Sequence, residues 1–186
     1  MTYQFRIQLE NIKKPPVWRR VTVPSTFNFE QFHQVIQSAF GWFDYHLYLF
    51  SPEGYGSYPM ITNDEESDDD QSIMSDKIKL SKIFKNEGDK YVYIYDFGDD
   101  WKHKIVLEKI LAEKTKTADC LDGKGACPPE DCGGPWGYEN LLLILADKKH
   151  EEYAEMAEWV GLCEGEEWDV NEFDLEFAQE MVREVE

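Results

Sequence analysis

Residues 91–110 read YVYIYDFGDDWKHKIVLEKI, and the reading of this stretch decides the fold. Aromatic and β-branched residues fill both halves. The centre, Gly98–Asp99–Asp100, has turn chemistry, so the segment predicts a long β-hairpin. Val92, Ile94 and Asp96 share one face of the first arm, and Trp101, His103, Ile105 and Leu107 share one face of the second. A two- or four-residue turn brings these sets to the same side of the sheet, whereas a three-residue turn sets Lys102 and Lys104 against Val92 and Ile94. The apolar pattern favours the first register, because a one-residue slip turns every side chain over. Asp96 and His103 then become cross-strand neighbours on a buried face, close enough for a carboxylate to hold an imidazole.

Upstream, Tyr3, Phe5, Ile7 and Leu9 alternate with Gln4, Arg6, Gln8 and Glu10, the period of a strand with one buried face. A turn at Lys13–Pro16 leads into a second strand, Val17 to Val23, and the two form a hairpin. Asn28 and Gln31 have the spacing of a capping box. Phe29, Phe32, Val35, Ile36, Ala39 and Phe40 follow at helical spacing, and Gly41 fits the stop. Tyr45 to Phe50 reads as the next strand. Downstream, Cys127–Tyr138 (CPPEDCGGPWGY) holds too much proline and glycine for a helix or strand and reads as a shaped loop of the kind that carries a site. Three helices follow, at Tyr138–Ala146, Glu151–Val160 and Asp174–Val185. The expected fold is therefore α+β: a mixed or antiparallel sheet, one packed helix after the first hairpin, and a helical C-terminal part over 138–186. No linker splits the chain, so residues 1–186 are expected to form one domain. The run DEESDDD at Asp64–Asp70 is expected to sit in a mobile acidic surface loop spanning about 63–72; it lacks the Gly and terminal Glu of a calcium loop.

The net charge of −19 opposes nucleic-acid contact, which depends on cations displacing counterions. The charge is uneven. Residues 1–23 carry Arg6, Lys13, Lys14, Arg19 and Arg20 against Glu10, while 150–186 carry fourteen acids against Arg183. Nucleic acid is thus disfavoured unless the first two strands supply the contact. A protein or small-molecule partner is expected instead. The chain shows neither a signal-peptide pattern nor a membrane-length apolar run, which predicts a cytoplasmic protein without a membrane partner and with reduced cysteines.

Four groups could carry chemistry. Asp96 with His103 is either a base–orienter pair, a metal ligand with its support, or a satisfied polar pair beneath a turn. Glu130 and Asp131 lie between two prolines and two glycines, a backbone shaped to aim carboxylates at a helix start, an arginine or a metal; the alternative is a structural turn. Arg19 shares a face with Val17, Val21 and Val23. If buried it needs carboxylates, with Asp96, Glu130 and Asp131 as candidates; a bulge would expose it. His46 reads as a packed residue between aromatics or as a ligand. Cys120, Cys127 and Cys132 lack the tight spacing of zinc knuckles, although adding His46 or His103 could complete four ligands; His46, His103, Cys127 and Cys132 are the candidate ligands of a divalent metal. No phosphate loop, nucleotide fingerprint or nucleophile elbow is present.

PPVWRRV at 15–21, FHQVIQSAFGWFDYHLYLF at 32–50, YDFGDDWKHKI at 95–105 and CLDGKGACPPEDCGGPWGY at 120–138 resemble the Ri-plasmid Orf3-like family, whose members occur on plasmids, in mobile elements and in ordinary microbial genomes. The resemblance runs from about residue 3 to the final helix and implies an α+β fold with a mixed sheet. It highlights Trp18, Arg19, His46, Asp96, Asp99, Trp101, His103, Glu130, Asp131, Gly133, Gly134 and Tyr138 and implies no catalytic role for them. Trp18, Arg19, His46, Asp99, Trp101 and Tyr138 are the expected binding residues. Some members carry a resolvase-like label, but four arginines and a strong negative charge do not support recombinase chemistry here. The leading expectation is a binding or interaction module with a polar His/Asp/Glu pocket. Its alternatives are a metal-dependent hydrolase or nuclease-like enzyme of a mobile element, with His103, Asp96, Glu130 and Asp131 as catalytic candidates, and a DNA-binding accessory protein.

Overall fold

The alternating residues of the first strand do bury one face. Tyr3, Phe5, Ile7 and Leu9 on β1 (Thr2–Leu9) are all buried, and β1 lies between β2 (Trp18–Pro24) and a long partner from the central hairpin. The computed structural model describes residues 1–66 and 69–186. Its sheet has eight strands in the order β5-β4-β3-β6-β7-β1-β2-β8, completed by β3 (Tyr48–Ser51), β4 (Ile61–Thr62), β5 (Ile73–Met74), β6 (Lys90–Tyr95), β7 (Trp101–Leu111) and β8 (Asp119–Lys124). The β4–β5 pair is parallel and the other pairings are antiparallel, which makes the sheet mixed. With its helices this is the expected α+β fold. The centre of the acidic run, residues 67 and 68, lies outside the described residues, so the loop and calcium readings rest partly there.

Helix α1 (Phe29–Phe40) covers one face of the sheet. Both halves of its capping box form, Asn28 with the Gln31 backbone and Gln31 with the Asn28 backbone, and Gly41 ends it at φ 88°. Phe29, Phe32, Ile36 and Phe40 interdigitate with Phe5, Phe50 and neighbours to make the core. After the four-residue helix α2 (Leu80–Ile83), the remaining helices are α3 (Gly134–Ala146), α4 (Tyr153–Trp159) and α5 (Leu175–Arg183). Helix α5 packs against α1 and β8. All three C-terminal helices fall where periodicity predicts them, with α3 starting four residues before the predicted Tyr138.

The hairpin register differs from the expected one. Tyr95 pairs with Trp101, Tyr93 with His103, Ile94 with Lys102 and Val92 with Lys104, which is the register the apolar pattern disfavours. The connection is five residues, Asp96–Asp100, with Asp96 at φ 56° and Asp100 at φ 53°. The inward face is built from Tyr91, Tyr93 and Tyr95, whose hydroxyls are satisfied. Tyr93 meets His33 and Gln37, Tyr91 donates to the Pro59 carbonyl, and Tyr95 donates to Glu130. A tyrosine with a partnered hydroxyl is as good a core residue as phenylalanine. Ile94 is also buried, on the other face, where Gly54 of the 51–58 loop approaches it. Two further differences concern length and number. The third strand starts at Tyr48, leaving Tyr45 and His46 outside it, and β8, just before the Cys127–Tyr138 loop, is a strand the sequence reading did not name.

Candidate functional site

Three segments converge beside the tip of the β6–β7 hairpin. His46 comes from the segment between α1 and β3, Asp96 from the hairpin tip, and Asp131 from the loop before α3. The His46 Nε2 atom lies 3.2 Å from Asp131 Oδ1 and 3.7 Å from Asp96 Oδ2. It is cut off from solvent, yet neither contact has hydrogen-bond alignment, so the nitrogen is without a partner. Among the described residues this is the one set of three or more His, Cys, Asp or Glu side chains whose ligand atoms gather, all within 4.8 Å of one another. Adjacent donors on an octahedral ion with bonds near 2.1 Å stand about 3.0 Å apart, and on a tetrahedral ion about 3.4 Å. The 3.2 Å His46–Asp131 spacing already fits, whereas the wider spacings, bounded at 4.8 Å, must close by up to about 1.8 Å on an octahedral ion. Asp131, 67% exposed, is free to swing in, whereas Asp96 is held at 11%.

The backbone is bent to make this cluster. Asp44, Asp96, Asp100 and Asp131 all adopt left-handed conformations, with φ of 60°, 56°, 53° and 58°. Aspartate tolerates that region better than most residues, but each instance costs of order 1–3 kcal/mol, and such strain concentrates at functional sites. Glu130 anchors the loop: it accepts from the Tyr95 hydroxyl at 2.5 Å and from the Phe43 N–H at 3.0 Å. The Pro128 carbonyl accepts from the Trp42 indole, and Asp99 accepts from the Gly133 N–H. Gly134, at φ 66°, lies so close that a Cβ there would sit 2.3 Å from the Asp99 carbonyl oxygen. With Glu130 fixed, its neighbour Asp131 reaches His46 instead. Adjacent acids thus divide into an anchor and a donor.

Exposed aromatics flank these segments. Phe43 stacks on Tyr45 at 5.8 Å, and Phe97 meets Tyr55 edge-on at 6.0 Å. Burial and the neighbouring Asp100 push the Tyr55 phenol up to about 12. Sequence reasoning missed these four side chains and Tyr95. The signal available was the aromatic pair Phe43 and Tyr45 just before His46, and Phe97 directly after Asp96. A separate cleft of about 590 Å³ lies between the Asn11–Lys14 turn and α3, bordered by Lys13, Lys14 and Trp136; it holds none of the converging acids.

The remaining expected site residues lie elsewhere. His103 is fully buried, boxed by Phe40, Trp42 and Tyr93, and its Nδ1 meets the Trp101 carbonyl at 2.9 Å. Burial holds its pKa down to about 3, with the Trp101 and Tyr93 backbone opposing. It faces the core, away from the three acids, because the register puts it opposite Tyr93 instead of beside Asp96. Trp101 and Tyr138 are core residues too, the latter accepting from the Trp168 indole. Trp18 is half-buried on the opposite sheet face under Arg6 and Arg20.

Arg19 is buried, as its strand face predicts, but without a carboxylate. Its guanidinium donates to the carbonyls of Ala39, Trp18, Lys124 and Gly125 and lies 4.1 Å over the Phe173 ring. Cys127 and Cys132 are free thiols apart from the His46 cluster. Burial raises both, Cys132 to about 12.

Residues 1–177 match the plasmid pRiA4b ORF-3-like protein family. The chain belongs to that family. It is 38% identical over 160 residues to the uncharacterised protein y4hQ of Sinorhizobium fredii, covering 85% of this chain and 80% of that one. It is also similar to the crystal structure of a protein of unknown function, MM3350, from Methanosarcina mazei, with a TM-score of 0.78, 36% identity, and 94% and 96% of the two chains covered. This member of the plasmid pRiA4b ORF-3-like family has, among its described residues, no helix long and apolar enough to cross a membrane.

Proposed function

We propose that the protein is a binding module whose recess at His46, Asp96 and Asp131 takes a divalent cation and offers it, open on one side, to a ligand held by the aromatic rim. The observation that carries this reading is the His46 Nε2 atom, sealed from water between two carboxylates with no aligned partner. A buried polar atom left unsatisfied costs about 1–3 kcal/mol, and a cation removes that cost while neutralising the paired acids. One imidazole and two carboxylates suit Mn²⁺ or Zn²⁺ better than Ca²⁺, which prefers oxygen alone. Three protein donors leave coordination positions free for a ligand or water.

The hydrolytic alternative needs a base beside a metal-bound water. Glu130 has both oxygens engaged by Tyr95 and Phe43, which favours binding over catalysis. The test is titration of metal-stripped protein with Mn²⁺ and Zn²⁺, followed by calorimetry and thermal unfolding. At a hundredfold excess over Kd a native-state ligand stabilises by about 2.7 kcal/mol. That stabilisation is expected for the wild type and absent from His46→Ala and Asp131→Asn. No heat and no shift with either metal in the wild type overturns the reading.

A further inference from the structure

The sheet face opposite α1 carries a charge unlike the rest of the chain. Strand pairing aligns Arg6 with Arg20 and Val106, Trp18 with Gln8 and Lys124, and Lys104 with Gln8 and Val92. Lys90 and Lys102 continue these rows on β6 and β7. Six cations therefore share one face, namely Arg6, Arg20, Lys90, Lys102, Lys104 and Lys124, in a chain of net charge −19. The acids among them are Glu108 and Asp122, both held by Arg20 at 2.7 and 3.2 Å, with Glu10 at the end of β1. Among the described residues the other five cations have no carboxylate at ion-pair distance. The face also offers flat stacking surfaces: the Arg6 guanidinium lies 4.1 Å over the Trp18 ring, with Arg20 at 5.3 Å.

We propose that this face binds single-stranded nucleic acid, with Arg6, Lys102 and Lys104 on the phosphates and the Arg6–Trp18–Arg20 stack receiving a base. Lysines and arginines around an aromatic ring on an open sheet supply the two interactions that a single strand needs, backbone charge and planar stacking. An acidic peptide uses the charge but has no use for the stacking planes. Repulsion from the distant acids is limited. Helix α5 and its acidic neighbours pack on the α1 side of the sheet, and at physiological ionic strength charges beyond about 8 Å are largely screened. The first two strands were the one route to nucleic acid that the charge distribution left open.

The experiment measures fluorescence anisotropy of labelled oligo-dT and oligo-U with the whole protein between about 50 and 200 mM salt. Binding is expected to weaken with salt at a slope near −2, from about 0.7 for each phosphate neutralised by Arg6, Lys102 and Lys104 on a single strand. Arg6→Glu/Lys104→Glu is expected to weaken it at least about tenfold at the low-salt end, and Lys104→Glu, a fully surface change, in the same direction. Trp18→Ala is expected to cost about fivefold or more. His46→Ala is expected to bind as the wild type does, so this inference and the cation reading fail separately. No binding at the lowest salt overturns the proposal. So does polyglutamate competing as well as the oligonucleotides while Trp18→Ala has no effect, an outcome that assigns the face to an acidic protein partner.

Discussion

Acidification should weaken this protein through a residue that has no part in the proposed cation site. His103 is sealed among Phe40, Trp42 and Tyr93 with its pKa pushed down to about 3, against about 6.5 in an unfolded chain. Because the folded value is the lower one, the unfolded state binds the extra proton first. Stability is full above pH ~6.5 and is lost as pH falls from there toward ~3. Each pH unit inside that window costs about 1.4 kcal/mol, so the fall from pH 7 to pH 5 removes about 2 kcal/mol. His33 is also held down by burial and adds loss of the same sign. The assay is urea unfolding at both pH values for the wild type and His103→Leu, which keeps side-chain volume and cannot titrate. The variant retains the His33 contribution, so the difference between the two pH responses isolates His103. The wild type should lose about 2 kcal/mol more than the variant. Equal losses would falsify the assignment of His103 as a buried neutral imidazole and reopen its claim to the proposed cation site.

Arg19→Ala strands four carbonyls and empties the space beneath Phe173, and chemical denaturation should register a loss of about 3–5 kcal/mol. Gly134→Ala drives a Cβ into the Asp99 carbonyl at φ 66°; Mn²⁺ titration should find weaker binding than in the wild type, because the hairpin tip and the Asp131 loop must separate. Tyr95→Phe deprives Glu130 of a donor and the Tyr45 N–H of an acceptor, for an expected loss of about 1–3 kcal/mol by thermal or urea unfolding. Asn28→Ala removes the helix cap, and the same unfolding measurement should give a deficit of about 1 kcal/mol with cation binding unchanged.

Local chemistry was legible in the sequence wherever one element decides its own geometry. The alternation of Tyr3 to Leu9, the Asn28/Gln31 cap and the Gly41 stop depend on neighbours a few residues away, and all three appear as read. The β6–β7 register depends on which face a tyrosine prefers, and that is settled by His33 and Gln37, sixty and fifty-six residues from Tyr93. Reading Tyr91, Tyr93 and Tyr95 as the outer face slipped the hairpin and drew His103 toward Asp96. His46, Asp96 and Asp131 could each be singled out from their setting, but their meeting is a property of three distant segments. Arg19 shows the same limit: burial follows from its strand position, whereas its partners are main-chain atoms that carry no sequence signature.

That last arrangement bears on how the protein can vary. A guanidinium lodged among carbonyls asks nothing of the side chains at Ala39, Lys124 or Trp18, so drift at those positions leaves its bonds intact. Gly123 and Phe173 are different, since a methyl group on the glycine would strike both the phenylalanine ring and the arginine stem. Paired substitutions across relatives should accordingly connect 19 with 123 and 173 and pass over the residues that hold it most firmly.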